Sequence, residues 1–306
     1  MELAEIRPFE PQMAEIDLFT MPDAVGVGEP SVRKVKPYIS GHVTDGSSTF
    51  TLKINGSSVS VPVGADGRWK WVQDQDITSL SEMLYGKTNL DYIEIYLPNN
   101  PNLTNMTNSV LYGLGYNGST YLDLGITANI KCLDTHNATR FSRAFLSWSV
   151  ADLRLGDIDF SKGWEFIMTF CYNNKSIKRL DLSNFDFSSA TTIQNNFYAT
   201  NLEYLHVGRF FASKAQYTNA NAFGGANDKL TDLDATEITV SVAFTGCSAL
   251  NEQSVVNLFD AVAADGITLT FHATVYAMIE EQLEIEGSPI YEAYWNSDYD
   301  FNYASA

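Results

Sequence analysis

Short triplets of the form apolar–polar–apolar recur along the middle of the chain, at intervals of roughly 25–30 residues. Their first residues are Ile93, Leu122, Leu153, Leu180, Leu205 and Leu233. A second apolar series keeps the same period ahead of them, at Leu84, Val110, Phe145, Phe170, Phe197, Phe223 and Phe244. Two markers that share one period predict repeated units, each a short strand with a return segment, that bury a common core by stacking.

The segment before the repeats has a different pattern. Residues 38–43 and 49–54 alternate as strands do, Asn55-Gly56 supplies a tight turn, and Asp66-Gly67 leads into a strand with Trp69 and Trp71 on one face. Residues 1–37 are rich in proline and keep no period of 2 or 3.6. We therefore predict an extended Pro-rich arm over 1–37, a small β cap over 38–76 and the repeats over 77–250.

Residues 251–306 predict a cap at the other end. A helix from Asn251 to Ala264 has one apolar face, a strand follows over 267–271, and Thr274 is placed to cap a second helix. The tail then carries six aromatic residues, Tyr291, Tyr294, Trp295, Tyr299, Phe301 and Tyr303. Such a density of aromatics predicts either packing back on the cap or an anchor in a partner's groove.

Two stretches carry a family resemblance. Leu180-Asp181-Leu182-Ser183-Asn184-Phe185-Asp186 and the run 196–205 resemble the BspA-like leucine-rich-repeat surface proteins of Bacteroides-type bacteria, over about residues 77–286. The order strand, Asn-Gly, strand, Asp-Gly-x-Trp resembles part of a bacterial immunoglobulin-like module. The resemblance implies an α+β solenoid: a leucine-rich-repeat-like, right-handed stack of short parallel strands between a β cap and a helix–strand–helix cap.

Composition narrows the classes of partner. A formal net charge of −18 argues against binding a nucleic-acid backbone or an anionic membrane surface. Since no run reaches the ~18 apolar residues of a membrane helix, we expect no membrane insertion. The three cysteines, Cys132, Cys171 and Cys247, have neither the pairing nor the spacing of a metal site, and we expect buried thiols.

The middle residue of each triplet should face outward, because side chains alternate along a strand. With the flanking positions, this outward row gives the predicted ligand-binding face, Tyr92, Tyr121, Asp123, Arg154, Arg179, Asp181, Tyr204 and His206. Opposite charges fall beside each other in it. The row is therefore either a self-neutralising polar ladder or a recognition face whose tyrosines contact a glycan or a protein.

No catalytic constellation is predicted. The row offers one histidine without an adjacent nucleophile, and the Gly113-Leu-Gly-Tyr-Asn-Gly118 run matches a dinucleotide fingerprint in spacing alone, because a strand rather than a helix follows it. We therefore expect no catalytic site, cofactor or metal.

These observations predict a non-enzymatic structural or adhesion protein. The start has no secretory signal pattern, which favours a phage virion component, associated with a capsid or tail, over the alternative of a bacterial cell-surface adhesin. The expected partners are other virion or surface proteins or a cell-surface glycan, and a homo-oligomer remains an alternative. The arm and the tail supply the predicted partner contacts, Pro8, Phe9, Phe19, Tyr291, Trp295 and Tyr299.

Overall fold

The computed structural model describes residues 35–212, 223–225 and 227–306. The chain divides into two units, Met1–Val35 and Lys36–Ala306, and all described helices and strands lie in the second. The predicted partner contacts Pro8, Phe9 and Phe19 lie outside the described residues.

The largest sheet combines antiparallel and parallel strands. The first seven strands are β1 (Tyr38–Val43), β2 (Thr49–Ile54), β3 (Ser57–Pro62), β4 (Arg68–Val72), β5 (Leu90–Leu97), β6 (Ile126–Leu133) and β7 (Val150–Ile158). Five of them form one sheet in the order β4-β1-β5-β6-β7. Strand β1 runs antiparallel to both β4 and β5, whereas β5, β6 and β7 are parallel. Strands β2 and β3 form a separate hairpin whose turn is Asn55-Gly56, with φ of 52° and 77°, as the dipeptide predicts.

The following strands are mostly three residues long. They are β8 (Glu165–Ile167), β9 (Arg179–Asp181), β10 (Thr192–Gln194), β11 (Tyr204–His206), β12 (Asp232–Asp234) and β13 (Val242–Phe244). Strands β8 and β10 pair in parallel, and β11 lies between β9 and β12, parallel to both. In this sheet Leu205 faces Leu180 and Leu233 in register, and all three leucines are buried.

The C-terminal part contains three α-helices and two strands: α1 (Glu252–Asp260), β14 (Thr268–Phe271), α2 (Ala273–Leu283), α3 (Pro289–Trp295) and β15 (Asn302–Ser305). Strand β14 pairs in parallel with β13 and β15. The Asn251 side chain caps α1 and that of Ser288 caps α3. Helix α2 is capped by His272 instead of the predicted Thr274, whose backbone N–H donates to His272 Nδ1 at 3.2 Å.

The predicted fold, a right-handed leucine-rich-repeat-like stack of short parallel strands, is wrong. The described residues form five small sheets, and the largest contains two antiparallel pairs. The triplet at Leu122 is not a strand; the strand in that place is β6, which begins four residues later and sets Ala128 opposite Ile93 and Leu153. The protein is a mostly-β structure of several small sheets with three α-helices in its described part.

Phenylalanine side chains fill the core between these sheets. Phe145, Phe170, Phe197, Phe223, Phe244 and Phe271 form a column in which successive ring centroids are 6.3, 6.4, 5.2, 5.1 and 5.5 Å apart. All six are buried, as are Leu84 and Val110. Phe187 and Phe210 pack edge-on against the column at Phe170. These two rings therefore hold the rings of the column in position. The thiols of Cys171 and Cys247 are free and buried, and that of Cys132 is half-buried.

The position of β6 can be tested by comparing two apolar residues. Ile130→Ala should lower the free energy of unfolding by about 2–5 kcal/mol, because Ile130 is fully buried opposite Ile95 and Leu155. Leu124→Ala should cost about 1 kcal/mol or less, since Leu124 is half-buried outside the strand. Urea unfolding of both variants measures the difference. If Leu124→Ala lowers the free energy of unfolding more than Ile130→Ala does, the strand has the register that the triplets predict.

Candidate functional site

The outward face of the largest sheet carries rows of polar and aromatic side chains. Its strand register places one row across the sheet at Lys70, Ser40, Glu94, Asn129 and Arg154, and the next at Arg68, His42, Tyr92, Thr127 and Asp152. These positions alternate with buried residues such as Ile39, Ile93 and Ile95, so they lie on the face opposite the core.

An open concavity of about 1140 Å³ lies at this face. Its charged and aromatic lining residues include His42, Asp66, Arg68, Lys70, Asp91 and Tyr92. Each of two basic side chains has a carboxylate neighbour: His42 Nδ1 is 2.8 Å from Asp91 Oδ1, and Arg68 Nε is 3.7 Å from Asp66 Oδ2. The Lys70 ammonium lies 3.7 Å from the centre of the Tyr38 ring. The His42–Asp91 pair is therefore held by a hydrogen bond, whereas the Arg68–Asp66 pair is loose, and the concavity has no strong field of one sign.

Glu94 holds two tyrosines of this face in place. Tyr38 and Tyr92 donate their hydroxyls to Glu94 at 2.5 and 2.6 Å, and Lys131 Nζ lies 3.0 Å from the same carboxylate. The Glu94 side chain is 14% exposed. Burial opposes its ionisation, but the hydrogen bonds from Tyr38, Tyr92 and Lys131 outweigh burial and leave the pKa of Glu94 below its usual value. Glu94 is thus an ionised anchor that orients the Tyr92 ring.

Four predicted site residues meet on the sheet of β9, β11 and β12. Arg179 lies opposite Tyr204, with its guanidinium 4.2 Å from the ring centre. His206 lies between two carboxylates, with Nδ1 3.9 Å from Asp181 and Nε2 3.7 Å from Asp234. These distances exceed hydrogen-bond length, so the pairs are loose. Polar side chains follow one another along the outward face of this sheet, and of the four only Asp181 lines the recess that includes Asp157 and Asn184.

Tyr121 and Asp123 do not belong to either row. Asn129 takes the position predicted for Asp123, because β6 replaces the Leu122 triplet. The Asp123 carboxylate accepts a hydrogen bond from Ser176 Oγ at 2.5 Å. Arg154 therefore lies opposite Asn129 rather than Asp123 and pairs with Asp152 at 2.6 Å on its own strand.

The sequence analysis missed His42, Arg68 and Lys70. The signal was available, because Arg68 and Lys70 alternate with the inward Trp69 and Trp71. The local pattern does not reveal that β1 pairs with β5. This pairing brings these side chains beside Tyr92.

The predicted partner contacts near the C-terminus divide between two environments. Tyr294, Phe301 and Tyr303 pack together and against Phe259. Trp295 is 64% exposed and Tyr299 is 41% exposed, and the Tyr291 ring lies 6.2 Å from that of Trp295. Tyr294, Phe301 and Tyr303 therefore pack on helix α1, which carries Phe259, whereas Trp295 and Tyr299 face solvent.

In the described part of the chain, no group of three or more His, Cys, Asp or Glu side chains is placed to hold a metal ion. None of the helices described is long and apolar enough to cross a membrane. Cys132 lies 3.6 Å from Asp157; burial and that carboxylate raise the pKa of its thiol to about 11, which disfavours the reactive thiolate.

The chain matches no protein-family model, no curated protein and no solved structure.

The role of Glu94 gives a prediction that depends on pH. Glu94→Gln should lower the free energy of unfolding by about 1–2 kcal/mol at neutral pH, because it weakens three charge-assisted contacts. The pKa of Glu94 is lower in the folded chain than its ordinary value of 4.5, so its contribution is complete above that value and disappears as pH falls through the folded pKa. The difference between wild type and variant should therefore shrink below about pH 4.

Thermal or urea unfolding from pH 3 to pH 7 measures this difference. Glu203→Gln is the matched control, because Glu203 forms an exposed pair with Lys178 at 3.3 Å and such pairs contribute little. A Glu94→Gln effect that stays constant over the whole range would contradict the ionised anchor.

Proposed function

We propose that this chain is a non-enzymatic adhesion protein that binds a glycan at the concavity of its largest sheet. The observation that carries the proposal is the set of paired, hydrogen-bonding side chains around the exposed part of Tyr92. Ligand sites combine an apolar or aromatic contact with a few fixed polar groups, and a tyrosine offers both a ring and a hydroxyl. A sugar ring requires the same combination, an apolar C–H face and a rim of hydroxyls.

The charge balance of the concavity supports a polyhydroxylated ligand. His42 and Arg68 each have a carboxylate neighbour, Asp91 and Asp66. Such pairs both donate and accept hydrogen bonds, as hydroxyl groups need, and offer little attraction to a strongly charged polymer. A protein ligand is the other candidate that the sequence raised, and it would more typically bury a large apolar anchor.

The absence of catalysis is part of the proposal. Glu94 is the carboxylate that bonds to Tyr92 of the concavity, and its oxygens are already occupied by contacts with Tyr38, Tyr92 and Lys131. Its lowered pKa is the reverse of what a general acid needs at neutral pH.

The biological setting rests on the resemblance of residues 180–186 and 196–205 to Bacteroides-type surface proteins. We propose a phage virion component, attached to capsid or tail through the exposed aromatics Trp295 and Tyr299 near the C-terminus, that presents the concavity to such a bacterial surface. A bacterial cell-surface adhesin would use the same face. Identification of the chain by mass spectrometry in purified virions or in a bacterial surface fraction separates the two.

Binding can be tested on a glycan array with the full chain. Arg68→Ala and Tyr92→Ala should each weaken the binding of any recognised glycan by about tenfold, because each removes a side chain that lines the concavity. Arg68 is the safer variant for folding, since its side chain is 81% exposed. Lys178→Ala, another exposed cation in an ion pair, should leave binding unchanged.

Two results would overturn this proposal. One is glycan binding that survives both Arg68→Ala and Tyr92→Ala. The other is an array on which wild type binds no glycan, together with capture of a defined surface protein that Arg68→Ala abolishes.

A further inference from the structure

A row of five aromatic rings lies on turns that precede β5, β6 and β7, outside the concavity. We call it the aromatic strip: Tyr112, Tyr85, Tyr116, Tyr121 and Trp148. Successive ring centroids in that order are 5.9, 5.6, 4.8 and 3.7 Å apart. Tyr85 is 42% exposed and Tyr121 is 36% exposed, and the other three rings are half-buried. Five neighbouring rings at the surface are more than scattered exposure explains.

The backbone fixes these rings in advance of any ligand. Tyr116 and Tyr121 form an antiparallel bridge around a tight turn. Asn117 Oδ1 accepts from the backbone N–H groups of Ser119 and Thr120 at 3.0 and 2.8 Å, and Asn117 N donates to Thr120 O at 3.0 Å. A turn closed by its own side chain is rigid, so little conformational entropy is lost when the rings bind.

Two glycines of the Gly113–Gly118 run lie in the turn that carries Tyr112 and Tyr116, and neither leaves room for a Cβ. Gly113 has φ of +72°, and a Cβ there would lie 2.2 Å from the Tyr85 ring. Gly115 has φ of +84°, and a Cβ there would collide with the Ser149 side chain, beside Trp148. Glycine therefore allows the Tyr85 ring to lie directly on the turn that carries Tyr112 and Tyr116.

The polar groups of the strip are available. In the part of the chain that the structure describes, the hydroxyls of Tyr85, Tyr112 and Tyr121 have no hydrogen-bond partner, while that of Tyr116 donates to Gly118 O at 2.9 Å. The charged neighbours are few and of both signs. Glu82, near Tyr85, is paired with Lys53 at 2.7 Å, and Arg143 is the cation near Tyr121.

From these observations we infer that the aromatic strip is a second binding site, which takes a neutral oligosaccharide by stacking pyranose rings on its aromatic side chains. Ring faces in series suit the apolar C–H faces of successive sugars, and free tyrosine hydroxyls at the ring edges suit their hydroxyl groups. The mixed and paired charges give no reason to select an anionic polymer. The site is separate from the concavity, so either proposal can fail alone.

The probes for the test are amylose, laminarin, mannan and hydroxyethyl cellulose, each cast in a native gel, with maltohexaose and cellohexaose for titration of the full chain. The migration of the wild-type chain should be retarded in a gel that contains at least one of these polymers. Tyr85→Ala and Tyr121→Ala should each weaken that binding by about three- to tenfold, and the double variant by more, because each removes one stacking surface.

Trp295→Ala is the matched control, since it removes an exposed aromatic ring at another place and should not change retardation. Arg68→Ala, in the concavity, should also leave it unchanged. Gly113→Ala keeps all five rings but must displace Tyr85, so it should weaken binding as Tyr85→Ala does.

A fluorescence measurement on the chain with all five rings of the strip intact keeps the inference testable if the variants unfold. Trp148 stacks on Tyr121, and tryptophan fluorescence should change on titration with the oligosaccharide of the retarding polymer in a Trp164→Phe/Trp295→Phe variant, whose other tryptophans, Trp69 and Trp71, are buried. The inference is overturned if wild type is retarded by none of the four polymers, or if retardation survives the Tyr85/Tyr121 double variant. Loss of retardation in Arg68→Ala alone would assign the glycan to the concavity instead.

Discussion

The column of phenylalanine rings is the contact on which the separate sheets depend. Strands β8 to β13 are three residues long, so each sheet has few ladder hydrogen bonds and could not persist alone. The rings from Phe145 to Phe271 follow one another at 5.1–6.4 Å, within the range of favourable aromatic contacts. Phe145, Phe170, Phe197 and Phe223 lie in turns between strands, where backbone hydrogen bonds such as Phe145 N–H to Thr169 O also join successive turns. Burial of the rings and these backbone bonds together link the small sheets.

Because buried rings hold the sheets together, the outward side chains are free to bind a ligand. Once the buried residues fix a strand's register, the alternate side chains must face outward in rows. In the largest sheet that register brings Arg68, His42 and Tyr92 together from three strands. The turns at the strand ends carry the other aromatic surface, where Gly113 and Asn117 set the ring positions. Both surfaces are therefore preorganised by parts of the chain that do not contact a ligand.

Local patterns predicted several elements and could not predict their assembly. The triplets at Leu180, Leu205 and Leu233 each lie on a strand, and they pair in register. At Leu122 the triplet pattern predicted the wrong strand. A second alternating stretch begins at Ile126, and composition does not show whether this stretch or the Leu122 triplet pairs with β5. The antiparallel joining of β1 to β5 is a contact between distant segments and leaves no periodic mark. The prediction of a uniform parallel stack was wrong for these reasons.

The sites were harder to predict than the strands for a related reason. A strand's outward residues can be read from alternation, but a concavity requires knowing which strands are neighbours. Tyr92 could be singled out from its own strand, whereas Arg68 and Lys70 became relevant only through the pairing of β4 with β1. The strip was hidden because its rings come from turns, where Tyr85 and Tyr112 each follow a buried leucine.

The distribution of charge bears on how such a protein would find a ligand. The chain carries a formal net charge of −18, yet the lining of the concavity combines Arg68 and Lys70 with Asp66 and Asp91, and the charges near the strip are of both signs. The excess of acid must therefore lie elsewhere, as on α2, where Glu280 and Glu281 are exposed. Long-range attraction would then contribute little to encounter, and affinity at both surfaces would come from short-range stacking and hydrogen bonds, whose strength depends on how rigidly the rings and carboxylates are held.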